Sequence, residues 1–101
     1  MYGMAWSNPA IVEVAIRGPL ARSDLAGLYA RVCALFTANP GALLLCDVIE
    51  VAVDAVAIEA LARLQLGARR HGCAVRLRNA PHELVDLACF MGLERVVAVA
   101  A

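Results

Sequence analysis

The chain has 101 residues, 62% of them hydrophobic, and this length suits one small domain with a single core. Nine acidic residues balance nine basic ones, and this zero net charge disfavours general binding to nucleic acid or membrane surfaces. No apolar run approaches the roughly 18 to 20 residues that span a bilayer, and the start of the chain lacks the pattern of a signal peptide. We therefore expect a cytoplasmic protein without direct membrane insertion.

The first half of the chain predicts one strand followed by one helix. Apolar and polar residues alternate over about Ile11 to Arg17, which is typical of a half-buried strand, and Gly18-Pro19 ends it. A helix then begins at Arg22 or Ser23 and runs to the Asn-Pro-Gly that stops it. Its apolar face is formed by Leu25, Leu28, Val32, Leu35 and Phe36.

The second half predicts the same alternation of strands and helices. The run ALLLCDV predicts a central strand that is covered on one or both faces. A helix runs from Asp54, its N-cap, to about Arg70, and a strand follows over Ala74 to Arg78. Pro81 precedes a helix that runs to about Met91, and RVVAVA predicts a last strand.

This order, β-α-β-α-β-α-β with short connections, predicts an α/β fold with a mostly parallel sheet. We expect one domain over residues 1–101 with four to five strands and three to four helices. Residues 1–9 are either disordered or an edge segment that packs beside the first strand.

Residues with catalytic or metal-binding chemistry are sparse. The chain has no Cys-x-x-Cys pair, no glycine-rich phosphate loop and no nucleophile beside a base, and its two histidines lie far from ligand spacing. Asp47 and Asp54 could be read as an acid–base pair, but a loop-ordering aspartate and an N-cap are favoured. We predict no enzyme, no cofactor and no metal site. Buried free thiols are the favoured interpretation of Cys33, Cys46, Cys73 and Cys89.

Several short motifs follow one another in a familiar order. Asp47 ends a strand, Asp54-Ala55-Val56-Ala57-Ile58 opens a long helix, a basic helix end leads to Gly72, and Gly92-Leu93 precedes the last segment. From about Ile11 to Val99 this pattern resembles the STAS domain of bacterial anti-sigma-factor antagonists and sulfate-transporter tails. In that family the helix opens with Asp-Ser-Ser-Gly-Leu.

The resemblance implies a regulatory site at the start of this helix. In the family the second serine of the motif is phosphorylated by a partner kinase that also binds the sigma factor. Val56 occupies that position here, Ala55 precedes it, and neither can accept phosphate. The resemblance therefore implies a non-catalytic, anti-sigma-factor antagonist-like regulator of transcription that has no phosphorylation site, and so no phosphoserine switch.

The helix from Asp54 and the loop before it are predicted to bind the partner, the helix through a second apolar stripe. Its sheet-facing residues are Ala57, Ala60, Leu61, Leu64 and Ala68. On the far side, Ile58 and Leu66 align two turns apart, which favours a binding face over scattered surface residues. The predicted partner-binding residues are Asp54, Ala55, Val56, Ile58, Glu59, Ala62, Arg63, Leu66 and Arg69.

Arginines gather late in the chain and leave other interpretations open. Arg76 and Arg78 share one strand face, which is either solvated or left without helices. They could hold an acidic partner or an anionic ligand, or simply be outward positions. They therefore leave open a small anion or nucleotide sensor. Two further alternatives are an accessory subunit of a membrane transporter, which the resemblance to STAS domains also implies, and a homodimer formed through the same helix.

Overall fold

A computed structural model describes residues 10–97 of the chain. Strand β1 covers Ile11–Ala15, helix α1 Leu25–Ala38, strand β2 Leu43–Asp47, helix α2 Ala55–Arg70, strand β3 Ala74–Arg78 and helix α3 His82–Phe90. Short 3₁₀ helices lie at Arg22–Asp24 and Glu94–Val97. The predictions for residues 1–9 lie outside the described residues.

The three strands form one parallel sheet in the order β1-β2-β3. Val12 pairs with Leu44, and Leu44 with Val75, so β2 is the central strand. Because parallel crossovers are right-handed and the strand order does not reverse, α1 and α2 lie on the same side of the sheet, where they contact each other. The predicted α/β class and the parallel sheet are confirmed.

The hydrophobic core lies between the sheet and its helices. Leu44 and Cys46 of β2 and Val75 and Leu77 of β3 are at most 1% exposed, and they belong to one buried cluster with residues of the helices. The alternate residues of the same strands are absent from this cluster. No helix between residues 10 and 97 is long and apolar enough to cross a membrane.

The predicted number of strands is too high for the part of the chain that the structure describes, which has three rather than four to five. The prediction of a last strand is wrong at Arg95–Val97, which belong to a 3₁₀ helix. Val96 and Val97 are both buried, whereas neighbouring residues of a strand point to opposite faces. This turn packs against α2, and that packing overrides the β-propensity of the valines. The remainder of the predicted strand lies outside the described residues.

Candidate docking surface on helix α2

The start of α2 is closed by its own aspartate. Asp54 has an extended backbone, with φ −152° and ψ 175°, and its Oδ1 accepts a hydrogen bond from the Ala57 N–H at 2.8 Å. One of the free N–H groups of the helix is thereby satisfied, as the sequence predicted. The first turn itself carries Ala55, Val56 and Ala57, so it presents no hydroxyl or thiol group.

The loop before α2 is held against the segment that follows β1. The Gly18 N–H donates to the Glu50 carbonyl at 3.2 Å, and the Ala52 N–H donates to the Gly18 carbonyl at 2.8 Å. Gly18 has a φ of +138°, a backbone conformation that side chains rarely adopt, so glycine is needed here. Arg17 and Glu50 add an exposed ion pair at 2.9 Å. These contacts fix the direction in which the chain enters α2.

Asp47, at the end of β2, orders the other side of this loop. Its Oδ1 accepts from the Ile49 N–H at 3.0 Å, and its Oδ2 accepts from Asn79 Nδ2 at 3.2 Å. The Ile49 N–H lowers the pKa of this carboxyl most, and Asn79 and the Arg78 charge lower it further. The carboxylates of Asp47 and Asp54 both bind backbone N–H groups, which is the structural role that the sequence favoured over acid–base chemistry.

Apolar side chains are exposed in the loop before α2 and in its first turn. Ile49 is 63% exposed and Val53 39% exposed, Ala55 is exposed, and Val56 is half-buried. We call Ile49, Val53, Ala55 and Val56 the mouth of α2. Ile49 and Val53 were not among the residues predicted for the site, although apolar residues in a loop beside a capped helix are a usable signal.

A strip of α2 continues from the mouth along the solvent side of the helix. We call Glu59, Ala62, Arg63, Leu66 and Arg69 the outer strip. Arg63, Leu66 and Arg69 are exposed, and Glu59 and Ala62 are half-buried. Glu59 pairs with Arg63 at 3.1 Å and also with Arg22, which precedes α1. Leu66, at 42% exposed, is therefore an apolar residue surrounded by charged ones.

The placement of Ile58 on an exposed face is wrong. Ile58 is 0% exposed and belongs to the buried cluster that includes Leu84 and Val97. Helix α2 is contacted by α1 as well as by α3 and the final 3₁₀ helix, so both of its flanks are covered. A helical wheel shows which residues share a side of a helix, but it does not show which sides other helices cover. The predicted sheet-facing residues of α2 are all buried.

A shallow cavity lies beside the outer strip, between α1 and α2. It has a volume of about 210 Å³ and is lined by Tyr29, Arg63, Leu66 and Arg70. The Arg70 guanidinium lies 3.4 Å from the Tyr29 hydroxyl. Gly67 allows α1 and α2 to pack closely at this point, because a Cβ at this position would approach Tyr29 Cε1 to 3.1 Å. A larger cavity of about 330 Å³ lies elsewhere, between the end of β1 and the start of α1.

Comparison with known proteins assigns no family, since no protein-family model and no curated protein matches the chain. The resemblance to STAS domains rests on the motifs of the chain itself. In the structure Asp47 is the last residue of β2, Asp54 is the N-cap of α2, and Gly92-Leu93 follow α3. Among the described residues, no group of three or more histidine, cysteine or acidic side chains is placed to hold a metal ion.

Proposed function

We propose that the chain is a STAS-like interaction module of the bacterial cytoplasm, without catalytic activity, that binds an anti-sigma factor through the mouth and the outer strip of α2. The observation that carries this proposal is an exposed apolar mouth that has Val56 where the related motif has its phosphorylated serine. Asp54 keeps this helix start ordered, so the surface is formed before a partner arrives.

In this proposal the mouth supplies apolar contact and the outer strip supplies a polar rim. Ile49, Val53 and Leu66 are the most exposed large apolar side chains of α2 and the loop before it, and a partner would remove them from water. Glu59, Arg63 and Arg69 surround Leu66 with both signs of charge. Such charges contribute more to orientation and partner choice than to affinity. Ile58 takes no part, because it is buried in the core.

The proposed module has no phosphate-dependent release. A phosphoserine at this position would add about −1.5 to −2 charges beside apolar contacts and disrupt them. Val56 offers no oxygen to a kinase, and Ala55 and Ala57 on either side offer none. Binding is therefore expected to persist in the presence of ATP. This is the functional consequence of a first turn of α2 that has no hydroxyl group.

Affinity capture from native cytoplasmic extract, with mass spectrometry of the bound proteins, tests this proposal. The full chain is compared with Val53→Glu and with Leu66→Glu, which place a charge in the mouth and in the outer strip. Phe90→Glu is the matched control, because Phe90 is 89% exposed at the end of α3. We expect a kinase-like anti-sigma factor on the wild-type chain and on Phe90→Glu, with at least a tenfold loss on the other two variants.

Two outcomes of the capture would overturn the proposal. If all four proteins retain the same partner, the mouth and the outer strip are not the docking surface. If the wild-type chain captures components of a membrane transporter and no anti-sigma factor, the partner class is wrong. Circular dichroism of each variant shows whether a loss of binding is a loss of fold.

A further inference from the structure

The side of the sheet opposite α1 and α2 presents a second surface, which we call the open face. The ion pair between Glu13 of β1 and Arg78 of β3, at 2.9 Å, reaches across β2 and shows that both side chains lie on this side. None of the residues of the open face belongs to the buried core cluster. They are Ile11, Glu13, Ala15, Leu43, Leu45, Asp47, Ala74, Arg76 and Arg78.

The centre of the open face is apolar although it lies outside the core. Leu43 and Leu45 of the central strand are half-buried, and Ile11 beside them is 62% exposed. By contrast Leu44, which points the other way from the same strand, is 0% exposed. Two leucines and an isoleucine in adjacent rows of one sheet surface form a contiguous patch, which favours a contact with another surface.

The charges on the open face are arranged with opposite signs at its two edges. Glu13 on β1, Leu45 on β2 and Arg76 on β3 stand in one row of the sheet. The Glu13 side chain is 65% exposed, so its carboxylate remains accessible while it pairs with Arg78. The Arg76 guanidinium donates to the Val75 carbonyl at 3.1 Å, and within residues 10–97 it forms no ion pair. This row of the sheet therefore consists of an acidic residue, a leucine and a basic residue.

We propose that the open face binds a second copy of this chain, face to face, about a two-fold axis parallel to β2. This rotation places β1 of one copy over β3 of the other, so that Glu13 meets the partner's Arg76 in both halves of the interface. Leu45 then meets the partner's Leu45 at the centre. An axis across the strands would instead place β1 over β1 and oppose Glu13 to the partner's Glu13. The first geometry pairs opposite charges at both edges and opposes like charges only at the centre, where Asp47 meets the partner's Asp47. The crosswise axis opposes both Glu13 and Arg76 to their own copies, so the charge arrangement favours the first geometry.

The small area of the open face predicts a weak, concentration-dependent dimer. Three strands about 4.8 Å apart, with five residues each at about 3.3 Å, give a footprint of about 14 by 17 Å, or about 240 Å². Side chains add to this area, but it stays below the roughly 800 Å² per partner of a stable complex. The proposal is independent of the proposed function, because the outer strip of α2 lies on the opposite side of the molecule.

Sedimentation equilibrium of the full chain, up to about 1 mM protein, tests the dimer with charge reversals. Glu13→Arg and Arg76→Glu each oppose like charges at both contacts, and each should weaken self-association at least tenfold. In the heterodimer that forms when the two variants are mixed in equal amounts, both contacts pair an arginine with a glutamate. The mixture should therefore regain the wild-type association, with a mass that rises from 10.7 kDa towards twice that value.

Leu66→Glu is the control variant, because it alters the outer strip of α2 and leaves the open face intact. It should associate as the wild type does. The proposal is overturned if the wild-type chain stays monomeric throughout, or if the mixture associates no better than either charge reversal alone. It is also overturned if Leu66→Glu abolishes the dimer, since self-association would then occur through α2.

Discussion

The two faces of the sheet are made by neighbouring residues of the same strands, and they differ in burial and in charge. Cys46 is 0% exposed beneath the helices, and burial, with a smaller effect from Asp47, raises the pKa of its thiol to about 12. Asp47, the next residue, points to the open face and has a carboxyl pKa below its usual value. These two adjacent residues of one strand thus lie in different environments, with Cys46 neutral and desolvated and Asp47 in polar surroundings.

Hydrophobicity alone does not decide which face of this sheet becomes the core. Both faces of β2 carry leucine, and the handedness of the crossover connections decides which of the two faces the helices cover. Since β1, β2 and β3 follow one another in sequence and in space, right-handed connections place α1 and α2 together on one side. The opposite side keeps Leu43 and Leu45 without a described helix over them. Function on this molecule is therefore expected on the outside of α2 and on the open face.

Two adjacent leucines of β2 should differ most in how much they stabilise the fold. Leu44→Ala leaves a cavity in the core and should lower the free energy of unfolding by about 2–5 kcal/mol. Leu45→Ala removes a half-buried side chain from the open face and should cost less than about 1 kcal/mol. Urea unfolding of the two variants at low protein concentration measures the difference. Equal losses would show that the open face is packed as tightly as the core.

An intermediate effect is expected at the start of α2. Asp54→Ala removes the acceptor for the Ala57 N–H and should lower the free energy of unfolding by about 1 kcal/mol. Asp54→Asn keeps an oxygen at the same place and should retain most of that stability. Thermal unfolding of both variants measures the loss. If the two variants lose the same amount, the charge of Asp54 matters rather than its hydrogen bond.

A weaker effect is the pH dependence of stability that Asp47 causes. Because its pKa is lower in the folded chain, its contribution to stability is present above the unfolded pKa of about 3.9 and is lost as pH falls through the lowered folded pKa. Asp47→Asn should therefore flatten the acid limb of stability against pH. Asp86→Asn, at an exposed position of α3, is the control. Urea midpoints between about pH 2 and pH 6 provide the comparison, and an unaltered acid limb in Asp47→Asn would contradict the assignment.

Local patterns predicted most of the fold. The alternation in AVRLR predicted β3 with its exact ends, and Asp54 predicted the start of α2. The pattern failed at Val96 and Val97, whose β-propensity is overridden by packing of a 3₁₀ turn against α2. It also failed at Ile58, because burial there depends on elements far along the chain.

The candidate docking surface was predicted only in part, because burial and exposure depend on how separate elements pack together. The sequence located Ala55, Leu66 and Arg69 on the outside of α2, where the structure has them exposed. It included the loop before α2 but did not name Ile49 or Val53 in it, and it did not identify Tyr29, whose position beside α2 follows from the packing of α1. Periodicity describes one helix at a time, whereas a docking surface is made by several elements.

The most direct test of the account is the affinity for the captured anti-sigma kinase, measured with and without ATP, for the wild-type chain and for Val56→Ser. We expect ATP to leave the wild-type Kd unchanged. We also expect ATP to weaken binding of Val56→Ser at least tenfold, with the mass of one added phosphate on the protein. If ATP releases the wild-type chain as well, or leaves Val56→Ser bound and unmodified, the mouth of α2 is not a docking site that has lost its switch.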